Sequence, residues 1–131
     1  MSVETFDKPA KILLADDDEI NRLVLGAFLT DSPEYYLTFV EDGRAALEAA
    51  TATQFDLMIF DQNMPFITGD RVIRHLRASN SINARTPVIR LSADTSHETR
   101  VMVEGIATAS LPKPLHKDML LAAIRTALLR T

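Results

Sequence analysis

The sequence predicts an α/β fold in which five parallel strands form one sheet covered by helices on both faces. Three observations carry this. Short apolar runs alternate five times with stretches of helical periodicity along 131 residues. Two of the runs stop abruptly on an acid, the first at Asp16 and the third at Asp61, as buried parallel strands do when they leave the core. Turn signals such as Ser32-Pro33 and Asp42-Gly43 fall between the runs and not within them.

The elements follow in order. Residues 1–9 are polar and end in proline, which reads as a flexible leader, with one domain over 10–131. Residues 11–15 make the first strand. Ile20, Leu23, Val24, Ala27 and Phe28 then recur at helical spacing over 19–30, with Asp17 or Asp18 available as the cap. A strand over 36–40 leads through Asp42-Gly43 to an Ala-rich helix near 44–51. Residues 57–60 are the third strand and 70–78 the next helix; 79–86 read as loop. Val88–Leu91 form a strand ending at Ser92, followed by a weaker helix near 96–103 and a short strand near 109–111. The last helix, over 117–129, shows an apolar face of Leu120, Leu121, Ile124, Ala127 and Leu128.

Composition removes several function classes. The chain is 47% apolar and 24% charged, enough for one compact core. A net charge of -4 argues against a general binder of nucleic acid or of anionic membranes, either of which calls for a basic face. There is no cysteine, so disulfides and thiolate metal sites are excluded. No signal peptide and no apolar run of bilayer length is visible, and a cytoplasmic location is expected.

Ligands of such folds sit beyond the carboxyl ends of the strands. Asp16, Asp17, Asp61, Ser92 and Lys113 all lie at or just past such ends, so the fold would gather them on one rim. Taken singly, each has an ordinary explanation: an aspartate after a strand caps a helix or forms a turn, a serine is a satisfied hydroxyl, a lysine is a solvated charge. Together they make a chemistry. Clustered carboxylates repel, and a hard divalent cation relieves that repulsion. Mg²⁺ suits the site best, because it takes oxygen ligands, keeps waters and bridges carboxylates to phosphoryl groups. An ammonium and a hydroxyl on the same rim supply what a phosphoryl group further needs.

Five segments, at strand ends and in order over residues 11–128, resemble the response-regulator receiver family. They are the stretch from Ile12 through Asp16-Asp17-Asp18-Glu19-Ile20-Asn21-Arg22, Val40 to Leu47, Asp56 to Pro65 around Asp61, Thr86 to Ala93 around Ser92, and Pro112-Lys113-Pro114. The resemblance implies a flavodoxin-like sheet of strand order 2-1-3-4-5. It implies that Asp61 accepts a phosphoryl group, with Mg²⁺ held by Asp16, Asp17, Asp61 and the Asn63 backbone carbonyl (Mn²⁺ or Ca²⁺ able to substitute). Lys113 would pair with a phosphoryl oxygen and Ser92 would swing to another. The Lys113–Pro114 bond is similar to one that is cis in the family. Asn63 and Asp94 look like the pairing of fast-resetting chemotaxis receivers, which implies a short-lived phosphoform. The implied partners are a histidine kinase or histidine phosphotransfer protein as donor and a downstream protein target, with homodimerisation compatible and neither nucleic acid nor membrane bound. Such a protein is a phospho-switch and acts only on itself.

Two positions depart from the pattern. Ser110 stands where the family usually has an aromatic that moves with the switch hydroxyl. Arg90 stands two residues before Ser92, in a strand where most receivers place an apolar or small residue. One reading has Arg90 filling the space left at Ser110 and taking over part of the switching; the other has it snorkelling to water. His75, His97 and His116 read as surface residues without a role. Two rivals remain to be weighed. A degenerate receiver used only for docking can claim Ser110. A haloacid-dehalogenase-like phosphohydrolase would attack with Asp16 and use Asp18 as acid/base, but Glu19-Ile20 and the terminal Lys113-Pro114 do not fit it.

Overall fold

The computed structural model describes residues 9–30, 34–93 and 109–129. In chain order the elements are β1 (Ala10–Ala15), α1 (Glu19–Leu29), β2 (Tyr35–Val40), α2 (Gly43–Ala52), β3 (Leu57–Asp61), α3 (Gly69–Ala78), β4 (Val88–Ser92), β5 (Ala109–Pro112) and α4 (Lys117–Leu129). All neighbouring strands pair in parallel, in the order β2-β1-β3-β4-β5. The expected sheet and order are therefore the observed ones. Element ends fall within about two residues of those the periodicity predicts, which is where frayed ends and caps decide the boundary. The leader through Lys8 and the helix expected near 96–103 lie outside the described residues.

Strand alternation sorts the side chains into two cores. Leu13, Ala15, Met58, Phe60 and Val88 pack under α2 and α3 with Ala46, Ala50, Val72, Ile73 and Leu76. Ile12, Leu14, Leu57, Ile59, Ile89 and Leu91 pack under α1 and α4 with Leu25, Leu29, Leu120 and Ile124. Central strands β3 and β4 are buried along their whole length, the near-continuous apolar runs of a doubly covered sheet. No helix among the described residues is long and apolar enough to cross a membrane.

Helix starts are fastened by side chains. Asp18 Oδ1 accepts the Ile20 amide at 2.9 Å and Asp42 Oδ1 accepts the Ala45 amide at 2.8 Å. At the opposite end of the sheet, fully buried Asn83 ties the end of α2 to the segments that lead into β3 and β4. Its amide donates to the Ala50 and Thr53 carbonyls at 2.6 and 2.7 Å, while its oxygen accepts from the Phe55 amide and the Thr86 hydroxyl at 2.9 Å each. That bonding satisfies carbonyls at the end of α2 that no helical partner could reach.

The connection from β3 to α3 is closely packed against two helix starts. A Cβ on Gly69 would stand 2.5 Å from the Asp61 carbonyl oxygen, and one on Gly43 would stand 2.0 Å from the Ile67 carbonyl oxygen. Only hydrogen fits at either place, so the first turns of α2 and α3 lie directly against the loop that leaves Asp61. We expect Gly69→Ala to cost about 1–3 kcal/mol in urea denaturation, as forced overpacking does. Gly26→Ala serves as the comparison: its Cβ would meet only the Phe39 ring at 3.7 Å, and inside a helix the change should be neutral or stabilising. Equal effects of the two substitutions would show that the Asp61 approach is not tight.

Candidate functional site

The strand order brings the candidate residues together. β1 and β3 are neighbours, with Ala15 opposite Phe60, so Asp16, just past β1, lies beside Asp61, the last residue of β3. Asp61 stands opposite Leu91 of β4, beside Ser92, and Ser92 stands opposite Pro112, beside Lys113. The Lys113 amide donates to the Ser92 carbonyl at 3.2 Å, which extends the sheet by one rung to the lysine. Lys113–Pro114 is cis.

One carboxylate oxygen from each of Asp16, Asp17 and Asp61 lies within 4.8 Å of the others. Asp16 and Asp61 are buried, at 1% and 2% exposure, and Asp17 is exposed. Lys113 Nζ stands 2.7 Å from Asp61 Oδ1. That same oxygen has no donor in hydrogen-bond alignment among the described residues, so the contact is a charge pairing and leaves the oxygen's lone pairs open in direction. Asp16 is held by its other atoms: Oδ1 accepts the Asp18 amide at 2.9 Å, and its carbonyl accepts Arg22 Nη1 at 2.7 Å. Its Oδ2 is buried with no partner among the described residues. Burial raises the Asp16 carboxyl above its usual value; the Asp18 amide opposes this, the Asp61 charge adds to it, and Lys113 subtracts. Asn21 comes near enough to favour the charged form slightly, yet not in hydrogen-bond geometry.

An orphaned buried carboxylate oxygen is costly unless something is meant to meet it. Three oxygen donors that repel one another, open on one side through exposed Asp17, fit a hard divalent cation. Asn63 lies two residues past Asp61 and is exposed at the loop's surface.

The remaining predicted positions are placed as follows. Ser92 is buried at the end of β4. Ser110 is exposed in β5, opposite Arg90 in register. Asp94 and His97 lie outside the described residues; His75 and His116 are exposed. Asp18 caps α1 and is exposed, which leaves it no acid/base part beside Asp16. Arg90 corrects the snorkelling reading, being 2% exposed, and it stands opposite Ser110 in register. Its Nε instead meets Asp70 Oδ1 at 2.6 Å and Gln62 Oε1 at 3.4 Å, on the β3 side. Sequence reasoning missed Asp70 and Gln62. The available signal was an acid in the first turn of α3 and a charge among the apolar residues of β4, but these stand 20 residues apart in the chain, too far to be paired by spacing. The loop also carries Phe66, exposed and with a left-handed backbone at φ 72°, its ring 4.4 Å from the Arg44 guanidinium.

Comparison with known proteins agrees with this geometry. Residues 12–125 match the model of the response regulator receiver domain. The chain is 34% identical over 124 residues to the response regulator MprA of Mycolicibacterium vanbaalenii, covering 94% of this chain and 52% of that protein. It is 30% identical over 118 residues to the autoinducer 2 sensor kinase/phosphatase LuxQ of Vibrio parahaemolyticus, covering 89% of this chain and 13% of that protein. The chain thus spans about half, or far less, of the curated relatives it matches. Among solved structures it resembles the chemotaxis response regulator CheY4 of Vibrio cholerae, with a TM-score of 0.84 and 33% identity over 92% of this chain and 100% of that one. It also resembles the receiver domain of a sensor histidine kinase from Pseudomonas aeruginosa, solved with magnesium coordinated in its active-site cleft, with a TM-score of 0.82 and 26% identity over 92% of this chain and 98% of that one. Sheet order, strand-end acids and family match converge: the chain belongs to the response regulator receiver domain family.

Proposed function

We propose that the chain is a phospho-accepting switch in which Asp61 takes a phosphoryl group from a phosphohistidine donor, a histidine kinase or a histidine phosphotransfer protein. One observation supports this above the others: a buried strand-end carboxylate has an ammonium 2.7 Å away on one side and two further carboxylates on the other. A carboxylate oxygen of Asp61 attacks phosphorus in line, the phosphorus–nitrogen bond to the donor imidazole breaks, and the departing imidazole takes up a proton. Lys113, already seated on Asp61, neutralises charge on a phosphoryl oxygen. Mg²⁺, held by Asp16, Asp17, Asp61 and the Asn63 carbonyl, would offset the remaining negative charge when bound. Ser92, at the end of the strand beside Asp61, would hydrogen-bond another phosphoryl oxygen. A cytoplasmic setting and a downstream protein target follow from this role. Ser110, in place of an aromatic, leaves one other reading to be tested, a module that docks without being phosphorylated.

With Mg²⁺ and phosphoramidate, the protein should gain one phosphoryl mass at Asp61, and Asp61→Asn should gain none. Lys113→Ala should slow labelling on the order of a hundredfold. Labelling of Asp16 would instead support phosphohydrolase chemistry, and no labelling together with no response to beryllofluoride would support the docking-only module.

The raised Asp16 value makes a second prediction. A carboxyl raised in the folded state contributes stability that is present below its unfolded value and lost as pH rises through the folded one. At neutral pH, ionised Asp16 therefore costs the metal-free fold. Asp16→Asn should raise the urea midpoint at pH 7 in chelator, and the gain should vanish as the medium is taken below the ordinary carboxylate range, about pH 4. Added Mg²⁺ should stabilise the parent protein and not the variant. A variant less stable than the parent at pH 7 in chelator would contradict the charge cost assigned to Asp16.

A further inference from the structure

Arg90 lies in the middle of a strand buried along its whole length, between Ile89 and Leu91. Alternation turns it to the side of the sheet that carries α3. Its guanidinium meets the Asp70 carboxylate in the first turn of α3 and the Gln62 side chain. Buried ion pairs of this kind seldom add net stability over an apolar pair of the same volume. This one is not even fully satisfied, since Arg90 Nη1 is buried without a partner among the described residues. Stability alone therefore does not account for it.

What the pair holds is the residue after Asp61. Gln62 is held through its backbone amide, its carbonyl and its side-chain oxygen. Its amide donates to the Leu91 carbonyl at 2.9 Å, and its carbonyl accepts the Gly69 amide at 3.0 Å. Its Oε1 accepts the Asp70 amide at 2.9 Å and takes the longer branch from Arg90. Every one of these contacts comes from β4 or from the head of α3, and the Arg90–Asp70 pair ties those two elements together. Gln62 in turn stands between the Asp61 carboxylate and the Asn63 carbonyl.

We infer that Arg90 and Asp70 are positioning residues for the metal and phosphoryl chemistry at Asp61, acting through Gln62 on the loop that carries Asn63. The inference rests on the proposed role of Asp61 as acceptor. With the guanidinium removed, Asp70 is left as a buried carboxylate without its counter-charge, the head of α3 loosens, and the Gly69–Asp61 approach loses its register. Partners that orient metal ligands from outside the coordination sphere commonly matter this much to affinity.

The test is Mg²⁺ titration calorimetry on the whole chain, paired with the rate of phosphoramidate labelling and with urea denaturation. Arg90→Met keeps the length of the side chain and removes its charge. It should weaken Mg²⁺ binding roughly tenfold, and slow labelling at limiting Mg²⁺ by the same factor, with the rate recovering at saturating Mg²⁺. Asp70→Asn should act in the same direction, and the double variant should be no worse than the poorer single, because the two act as a unit. A lowered unfolding midpoint with parental Mg²⁺ affinity would overturn the inference, as would strictly additive losses. Should Arg90→Met not fold, Gln62→Ala, at a half-buried position, decides in its place: unchanged Mg²⁺ affinity there also overturns it. Parent protein that binds Mg²⁺ but takes no phosphoryl group at Asp61 would overturn the proposed function, and leave the Mg²⁺ comparison as the test of Arg90.

Discussion

Two carboxylates, Asp16 and Asp61, are buried at the ends of neighbouring strands, with a third, Asp17, beside them. Like charges at that separation in a desolvated setting repel strongly, and the rest of the site is arranged around this repulsion. Lys113 offsets part of it from just past β5, the Asp18 amide stabilises one oxygen of Asp16, and the other oxygen has no partner among the described residues. An imbalance of this kind suits a hard cation. The strand ends are staggered accordingly: β5 runs one residue past the level of Asp61, to Pro112 opposite Ser92, and so sets the Lys113 ammonium against the Asp61 carboxylate.

The loop after Asp61 is clamped from both sides by backbone. Gly69 and Gly43 let the heads of α3 and α2 press against it, and the Gly43 amide points to the Pro65 carbonyl at 3.4 Å. Phe66 adopts a left-handed backbone there, a conformation that costs an L-residue about 1–2 kcal/mol. Its ring over Arg44 recovers part of that cost. Strain of this kind persists only where the surroundings over-determine the chain. A loop so held can present a backbone carbonyl at a fixed place, which a flexible loop could not do.

Much of the site was legible because its residues follow apolar runs. A strand end is visible in sequence, and parallel topology places strand ends on one rim, so Asp16, Asp61, Ser92 and Lys113 could be grouped before any distance was known. Asp18 was legible only as one of two caps; the structure assigns the bond to it. Arg90 was legible as an anomaly but not in its partner. Asp70 is 20 residues away in the chain, and no periodicity connects a β4 side chain to the first turn of α3. Asn83 was read as part of a polar loop, yet it is fully buried and joins the end of α2 to the segments that lead into β3 and β4. Loop polarity says only that a residue can hydrogen-bond, not which carbonyls will lack partners.

The sequence by itself determined the alternation of strands and helices, the two-faced burial of the sheet and the placing of acids and lysine at its carboxyl edge. Those follow from local periodicity and from the handedness of parallel crossovers, which leave few alternatives. Only the tertiary structure decided how charges are shared among Asp16, Asp61 and Lys113, and where the Arg90 guanidinium goes. Both depend on side chains from separate elements meeting within about 3 Å, the range over which hydrogen bonds and ion pairs act. No local pattern in the chain carries information at that distance.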